Sequence, residues 1–333
     1  MFQEYYNFTL PPFQLTPDHR FFFGSSVHSR AIAHLVYGLA QEEGFIIITG
    51  EVGAGKTTLV ERLAAELDMS RHHLARIVTS QVSGDDLLRL VASAFGITES
   101  YDKATLLRQF EALLRANRAE GRRTLLVVDE VQSLPMPALE ELRMLSNITD
   151  GGRALLQTIL LGQPQFRRTL ASPDLDQLRQ RVLASYHLGP LNEEETRAYI
   201  EYRLKAAGWS GSNPSFEAGA FAAVYRHTGG VPRRINRLCS RVLLYGALEE
   251  TALISEPMVD TTARELHDDL GAGTPVAVTP EPGQALALPA QPQVSMVFDL
   301  LQRVQALEQV VARRERVFER LLDLLGADIG LKR

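Results

Sequence analysis

The sequence predicts an α/β protein in which a parallel-sheet core is followed by a small helical domain, a proline-rich linker and a heptad helix. Three observations carry this prediction. Short apolar runs alternate with helical stretches over the first part of the chain, and the strand-like runs then stop. Further on, prolines cluster ahead of a segment whose apolar residues recur at spacings of three and four.

Five apolar runs predict the strands of the core, and they cover residues 45–49, 74–81, 124–130, 154–162 and 184–190. Helical stretches such as DDLLRLVASAF and PALEELRMLSNI lie between them. Strand–helix alternation favours a parallel sheet that is covered on both faces. We therefore expect residues 1–190 to form the sheet domain.

The segment 191–270 reads as a smaller, helical domain. Asn192 and Glu195 have the spacing of a capping box at the start of a helix that runs to Gly208. A second helical stretch, FEAGAFAAVYRHTGG, closes on two glycines, and a third carries Pro232 in its first turn.

The last part of the chain predicts a linker and a single helix. Residues 271–294 hold five of the 16 prolines and one charge, which is linker composition. Residues 295–326 follow a heptad pattern broken at Arg314, with apolar residues at Val297, Leu300, Val304, Leu307, Val311, Phe318, Leu321 and Leu325. A helix docked on the domain would also show this pattern, but the tether favours a detached coiled coil or partner-binding helix.

The composition limits the classes of protein to which the chain can belong. The 333 residues are 45% hydrophobic and 23% charged, which suffices for about two globular domains. The net charge of -5 disfavours tight sequence-independent binding of nucleic acid. The single cysteine, Cys239, cannot form an internal disulfide, and its apolar helical surroundings favour a core residue over a nucleophile.

The start of the chain does not resemble a targeting signal. The first 24 residues lack the basic start and apolar run of a secretory signal, and no segment approaches the roughly 18 apolar residues of a membrane helix. We therefore expect a soluble, cytoplasmic protein without a transmembrane segment.

The strongest motif is a phosphate-binding loop, G-x-x-x-x-G-K-[ST], directly after the first predicted strand. Its glycines let successive backbone N–H groups point at phosphate oxygens, and the following helix adds its positive end. We expect Lys56 to reach the β- and γ-phosphates and Thr57 to ligate Mg²⁺. The predicted nucleotide-binding residues here are Gly50, Glu51, Val52, Gly53, Ala54, Gly55, Lys56, Thr57 and Thr58.

The third predicted strand, LLVVDE, ends in two acids. Asp129 is placed to serve the metal, and Glu130 to orient and deprotonate the attacking water. Two acids can end any strand, but their position after a phosphate loop favours a hydrolytic role.

Two basic clusters complete the candidate site. Arg179 and Arg181 precede the fifth strand, where either could act as an arginine finger in a neighbouring subunit or form a surface ion pair. Arg233 and Arg234 begin a helix of the small domain, and we favour Arg233 as the residue that touches the nucleotide from that side.

These motifs, in this order, resemble an AAA+ ATPase. PPFQLTPDHRFFF, His28, YGL at 37–39, GEVGAGKTTL, LEELRMLSN, LLGQPQFR and LRQRVLASYHLGPL extend the resemblance to the ExeA, or general secretion pathway A, ATPases. Within these, the chain most resembles the subfamily of exosortase (PEP-CTERM) loci, which is associated with exopolysaccharide production. The resemblance covers about residues 1–270.

The resemblance implies MgATP as the ligand, ATP hydrolysis, and a homo-oligomer in the form of a ring or filament. It places Gln163 in the sensor-1 region and Arg233 at the sensor-2 position. His28 lies where such ATPases often meet adenine, although packing or capping is the preferred interpretation. Longer secretion members end in a membrane span and a peptidoglycan-binding domain, whereas this sequence has the linker and heptad helix.

Three functions remain in competition at this point. The leading one is a cytoplasmic ATPase, or one peripheral at the inner membrane through a partner, that energises assembly or export of envelope material. The second is a DNA-associated ATPase resembling transposition helper proteins, which would need a basic stripe. The third is a nucleotide-gated scaffold that hydrolyses slowly, against which Glu130 argues.

Overall fold

The computed structural model of the chain describes residues 2–16, 19–79, 83–98 and 102–271. The strands are β1 Phe45–Gly50, β2 His72–Val78, β3 Arg123–Asp129, β4 Thr149–Asp150, β5 Arg153–Ala154, β6 Leu156–Gly162, β7 Val182–Leu188, β8 Ser215–Phe216 and β9 Leu253–Ile254. The α-helices are α1 Phe2–Tyr5, α2 Ser26–Ala40, α3 Lys56–Glu66, α4 Gly84–Ala94, α5 Lys103–Ala119, α6 Met136–Leu145, α7 Gln165–Leu170, α8 Asp176–Arg179, α9 Glu193–Ala206, α10 Ala218–Thr228, α11 Pro232–Leu248 and α12 Glu256–Gly271.

Five parallel strands form the central sheet in the order β2-β3-β6-β1-β7. The inner strands β1, β3 and β6 are buried along nearly their whole length, whereas the edge strands β2 and β7 have exposed positions. This explains the unbroken apolar runs of the inner strands, because both of their faces are covered. The predicted α/β fold with a parallel-sheet core is confirmed.

The strand ends differ from the predicted ones by up to three residues. The second strand begins at His72 and ends at Val78, and the fifth ends at Leu188. The fourth begins at Leu156, because Arg153 and Ala154 pair in a short antiparallel hairpin with β4. Glu130 is not part of β3, because its backbone turns into the left-handed region with φ 55°.

The helical part contains α9, α10, α11 and α12, one helix more than predicted. The predicted capping box is confirmed, since the Asn192 side chain accepts from the backbone of Glu195 and the Glu195 side chain accepts from that of Asn192. Gly229 ends α10 with φ 58°, and Pro232 occupies the first turn of α11.

The start of the chain packs against these helices and not against the sheet to which the prediction assigned it. Tyr6, Phe8, Phe13 and Phe21 are buried in the same apolar cluster as α9, α10 and α11. Arg203 of α9 holds this segment, because its Nε donates to the carbonyl of Pro12 at 2.5 Å and its guanidinium lies 4.5 Å from the ring centre of Phe21. The boundary between residues 190 and 191 stays a prediction.

The predicted linker, 271–294, and heptad helix, 295–326, lie outside the described residues, apart from Gly271 at the end of α12. Among the helices that the structure describes, none has the length and apolar character needed to cross a bilayer.

Candidate nucleotide-binding site

The predicted phosphate loop connects β1 to α3 at the carboxyl edge of the sheet. Gly53 and Gly55 adopt φ values of 83° and 97°, which only glycine adopts readily. A β-carbon at Gly53 would lie 2.1 Å from the Cβ of Arg233, and one at Gly55 would lie 2.8 Å from the Nε2 of His28. Both glycines are therefore required by conformation and by close packing.

Lys56 lies at the base of the loop, and only 6% of its surface is exposed. Its Nζ donates to the carbonyl oxygens of Gly50 at 2.8 Å and Glu51 at 3.1 Å. Burial lowers the pKa of Lys56, while nearby Glu130, Asp129 and Glu51 act in the opposite direction. The side chain thus holds an ammonium group inside the loop, where phosphate oxygens could replace its two carbonyl partners.

The remaining loop residues differ in exposure. Val52 is half exposed, Ala54 is buried, and Thr58 is partly buried in the first turn of α3. The Ala54 backbone N–H donates to the carbonyl of Glu51 at 3.1 Å, which closes the turn at the centre of the loop.

Thr57 and Asp129, the two predicted metal ligands, contact each other. The Thr57 hydroxyl donates to Oδ2 of Asp129 at 2.9 Å, and the backbone N–H of Glu130 donates to Oδ1 at 2.9 Å. A hydroxyl and a carboxylate at one point are oxygen ligands of the kind Mg²⁺ prefers. The residues present therefore fit a magnesium ion held by Thr57 and Asp129.

Arg76 is a site residue that the sequence motifs did not reveal. Its guanidinium lies 2.8 Å from Oδ2 of Asp129 and 3.2 Å from Oε1 of Glu61. The sequence did contain an indication of this role, because Arg76 is the one charged side chain among the apolar residues at the end of β2. This strand lies next to β3. Its positive charge stabilises the Asp129 carboxylate, which is only 4% exposed.

Glu130 is held by two amide side chains. Its Oε2 accepts from Nε2 of Gln132 at 2.5 Å and from Nε2 of Gln163 at 3.2 Å. Gln132 also accepts the backbone N–H of Gln163 at 2.9 Å, so the three side chains form one network. The structure thus places Gln163 beside the Glu130 carboxylate, whereas Gln132, two residues after Glu130, was missed.

The helical part reaches the loop through Arg233. Its backbone N–H donates to the carbonyl of Gly53 at 3.2 Å, and its side chain packs on Gly53. The first turn of α11 therefore lies directly on the phosphate loop. Arg234 is exposed beside it.

Arg179 and Arg181 differ in their surroundings. Arg179 is exposed and paired with Asp176 in its own helix. Arg181 is partly buried, and its Nη1 donates to the carbonyl and to the hydroxyl of Ser146, each at 3.1 Å, at the end of α6. Arg181 is thus anchored within its own chain, which leaves Arg179 as the better candidate for a finger.

His28 joins the loop to the start of α2. Its Nδ1 lies 2.7 Å from the Ser25 hydroxyl, which caps that helix. Burial lowers the pKa of His28, although a hydrogen bond to the Ala54 backbone and the Glu195 carboxylate act against this shift. The ring thus packs between the Ser25 cap and Gly55 of the phosphate loop, which agrees with the preferred interpretation.

A five-stranded parallel sheet with a phosphate loop after β1, with Asp129 at the end of β3 and with Glu130 directly after it, defines a P-loop NTPase of the AAA+ class. The sequence profile of the AAA domain family matches residues 39–170. The chain is 38% identical over 248 residues to general secretion pathway protein A of Aeromonas hydrophila. The aligned region covers 73% of this chain and 44% of that protein. By both comparisons the chain is similar to the ExeA-like AAA+ ATPases, and it spans less than half the length of this relative.

Solved structures agree on the fold. The Aeropyrum pernix ORC2 protein in its ADP form superposes with a TM-score of 0.56 at 18% identity, over 82% of this chain and 74% of that one. The Cdc6p protein of Pyrobaculum aerophilum gives a TM-score of 0.57 at 13% identity, over the same shares, 82% and 74%. At these identities the likeness shows the fold alone.

Proposed function

We propose that the chain binds MgATP and hydrolyses it to ADP and phosphate. The observation that carries this proposal is the 2.9 Å contact between Thr57 and Asp129 beside the restrained carboxylate of Glu130. A metal-binding pair, a buried lysine and a candidate base thus lie together at one edge of the sheet, where parallel α/β folds bind ligands.

Each of these residues has a separate role in the proposed reaction. Lys56 and the loop N–H groups at the start of α3 bind the phosphates, and Thr57 and Asp129 would hold magnesium, which neutralises charge on the transferred phosphoryl group. Glu130 takes a proton from the attacking water, and a positioned base of this kind accelerates hydrolysis about 10²–10⁴-fold. Gln132 and Gln163 hold Oε2 of Glu130, which leaves Oε1 to meet the water. Arg233 links the bound phosphates to the helical part.

We further propose that this nucleotide cycle energises or regulates assembly or export of cell-envelope material, at the cytoplasmic face of a secretion or exopolysaccharide complex. The support is the 38% identity to a protein named for general secretion and the resemblance to the exosortase-locus ATPases. The predicted heptad helix would bind a partner or a second copy.

Affinity capture in the presence of ATP tests this role. We expect the full chain to recover proteins of a membrane complex, and a chain lacking residues 295–333 to lose them while retaining nucleotide binding. Recovery of DNA by both chains would favour the DNA-associated alternative. Equal recovery of the membrane proteins by both chains would contradict coupling through the terminal helix.

Arg179 is proposed as the finger that one subunit supplies to its neighbour. If so, mixing wild-type protein with an excess of Arg179→Ala protein should lower the turnover per wild-type subunit several-fold, because mixed assemblies contain incomplete sites. Arg241→Ala is a matched control, since Arg241 is an exposed arginine of the helical part. Turnover that simply follows the amount of wild-type protein would exclude a finger from Arg179.

A further inference from the structure

A second cleft lies at the opposite edge of the sheet from the phosphate loop. It has a volume of about 870 Å³ and is lined by the end of α2 and residues 41–43, by the starts of β2 and β3, and by the turn between β4 and β5. Because Arg123 begins β3 and Asp129 ends it, the cleft lies roughly 20 Å from the magnesium-binding residues. It is therefore separate from the nucleotide site.

Five arginines line this cleft against two acids, Glu42 and Glu43. They are Arg71, Arg118, Arg122, Arg123 and Arg153. The sheet itself brings two of them together, because the backbone N–H of Arg123 donates to the carbonyl of Arg71 at 2.8 Å. The lining thus carries an excess of positive charge although the whole chain has a net charge of -5.

Part of this charge is already paired. Arg123 binds Glu42, Arg122 binds Glu120, and Arg118 lies 3.5 Å from Asp150.

The rest of the positive charge is available. Arg71 and Arg153 form no ion pair within 4 Å and no side-chain hydrogen bond with another described residue, although the charge of Arg71 acts on the exposed carboxylate of Asp68. Nε of Arg122 also lacks a hydrogen-bond partner within the described part of the chain, but it is buried, so a group bound in the cleft does not reach it as the side chain stands.

The wall of the cleft is fixed in place. Gln157 of β6 is buried, and its Nε2 donates to the carbonyls of Gly38 at 2.8 Å and Glu43 at 2.9 Å. These two bonds hold the loop after α2 against the sheet. The wall that carries Glu42 and Glu43 is therefore held against the sheet, opposite the arginines that line the cleft.

We propose that this cleft binds phosphate groups of a small ligand or of a lipid headgroup, with Arg71 and Arg153 as the recognition residues. Guanidinium groups bind phosphate through paired N–H donors, and a volume of about 870 Å³ lies within the range of ligand pockets. The arginines converge on one cleft and do not form a stripe along a face. This arrangement suits a compact phosphate group better than the extended backbone of a nucleic acid duplex.

The test measures binding of two probes to the full chain in the presence of excess ADP, which occupies the phosphate loop. Inorganic pyrophosphate is titrated by calorimetry, and vesicles of phosphatidylglycerol are compared with vesicles of phosphatidylcholine by co-sedimentation. We expect the wild-type protein to bind pyrophosphate, phosphatidylglycerol vesicles or both. Binding of the vesicles alone identifies a lipid headgroup, and binding of pyrophosphate alone identifies a soluble phosphate.

Arg71→Ala combined with Arg153→Ala should weaken this binding about tenfold or more, because each substitution removes charge-assisted hydrogen bonds. Both side chains are exposed, so the fold should be retained. Arg237→Ala, at an exposed arginine of α11, is the matched control and should bind as the wild type does.

The proposal is overturned if neither probe binds the wild-type protein. It is also overturned if the double variant binds both probes as tightly as the wild-type protein does. It is equally overturned if duplex DNA alone binds with this arginine dependence.

Discussion

Glu130→Gln is expected to lower ATP turnover about 10²–10⁴-fold, the range of a general base, and to leave nucleotide affinity within a few-fold of wild type. The amide has the size of the carboxylate and can still accept from Gln132 and Gln163, but it cannot take a proton from water. The two quantities are measured separately, turnover by release of inorganic phosphate and affinity by equilibrium titration with ATP.

Glu217→Gln is the matched control, because Glu217 is an exposed glutamate at the start of α10 whose side chain makes no capping hydrogen bond. This control should turn over ATP at the wild-type rate. Unchanged turnover in Glu130→Gln would show that Glu130 does not activate the water and would favour the slow nucleotide-gated scaffold.

Lys56→Ala is expected to weaken ATP binding about 10²-fold or more, because two or more charge-assisted hydrogen bonds to phosphate are lost. The fold should tolerate this change, because burial already disfavours the charged lysine, as its lowered pKa indicates. Affinity is measured by equilibrium titration with ATP and Mg²⁺, and folding by circular dichroism and thermal unfolding.

The control for this variant is Lys205→Ala, at an exposed lysine in the last turn of α9, which should bind ATP with wild-type affinity. Full ATP affinity in a folded Lys56→Ala protein would show that the phosphate loop does not bind the nucleotide.

The phosphate loop could be predicted from sequence because its information is local. Eight consecutive residues carry the glycines, Lys56 and Thr57, and the flanking strand and helix are visible as patterns. The apolar run that ends at Asp129 likewise predicted the position of the two acids beside the phosphate loop.

The parts that sequence did not predict depend on contacts between distant residues. Arg76 reaches Asp129 across 53 positions, and only the pairing of β2 with β3 brings them together. The packing of Phe13 and Phe21 against α9 was missed for the same reason, since no local pattern says which domain a short aromatic segment joins. Gln132 is different, because it stands two residues after Glu130, and only the turn of the Glu130 backbone directs its amide to the carboxylate.

The central claim is that the carboxyl edge of the central sheet binds a magnesium-bound triphosphate and hydrolyses it. The most direct measurement is titration of the purified wild-type chain with ATP, with Mg²⁺ and then with the metal chelated, followed by assay of released phosphate. We expect saturable binding and steady phosphate release that requires Mg²⁺. A folded protein that binds no adenine nucleotide under either condition would contradict the claim.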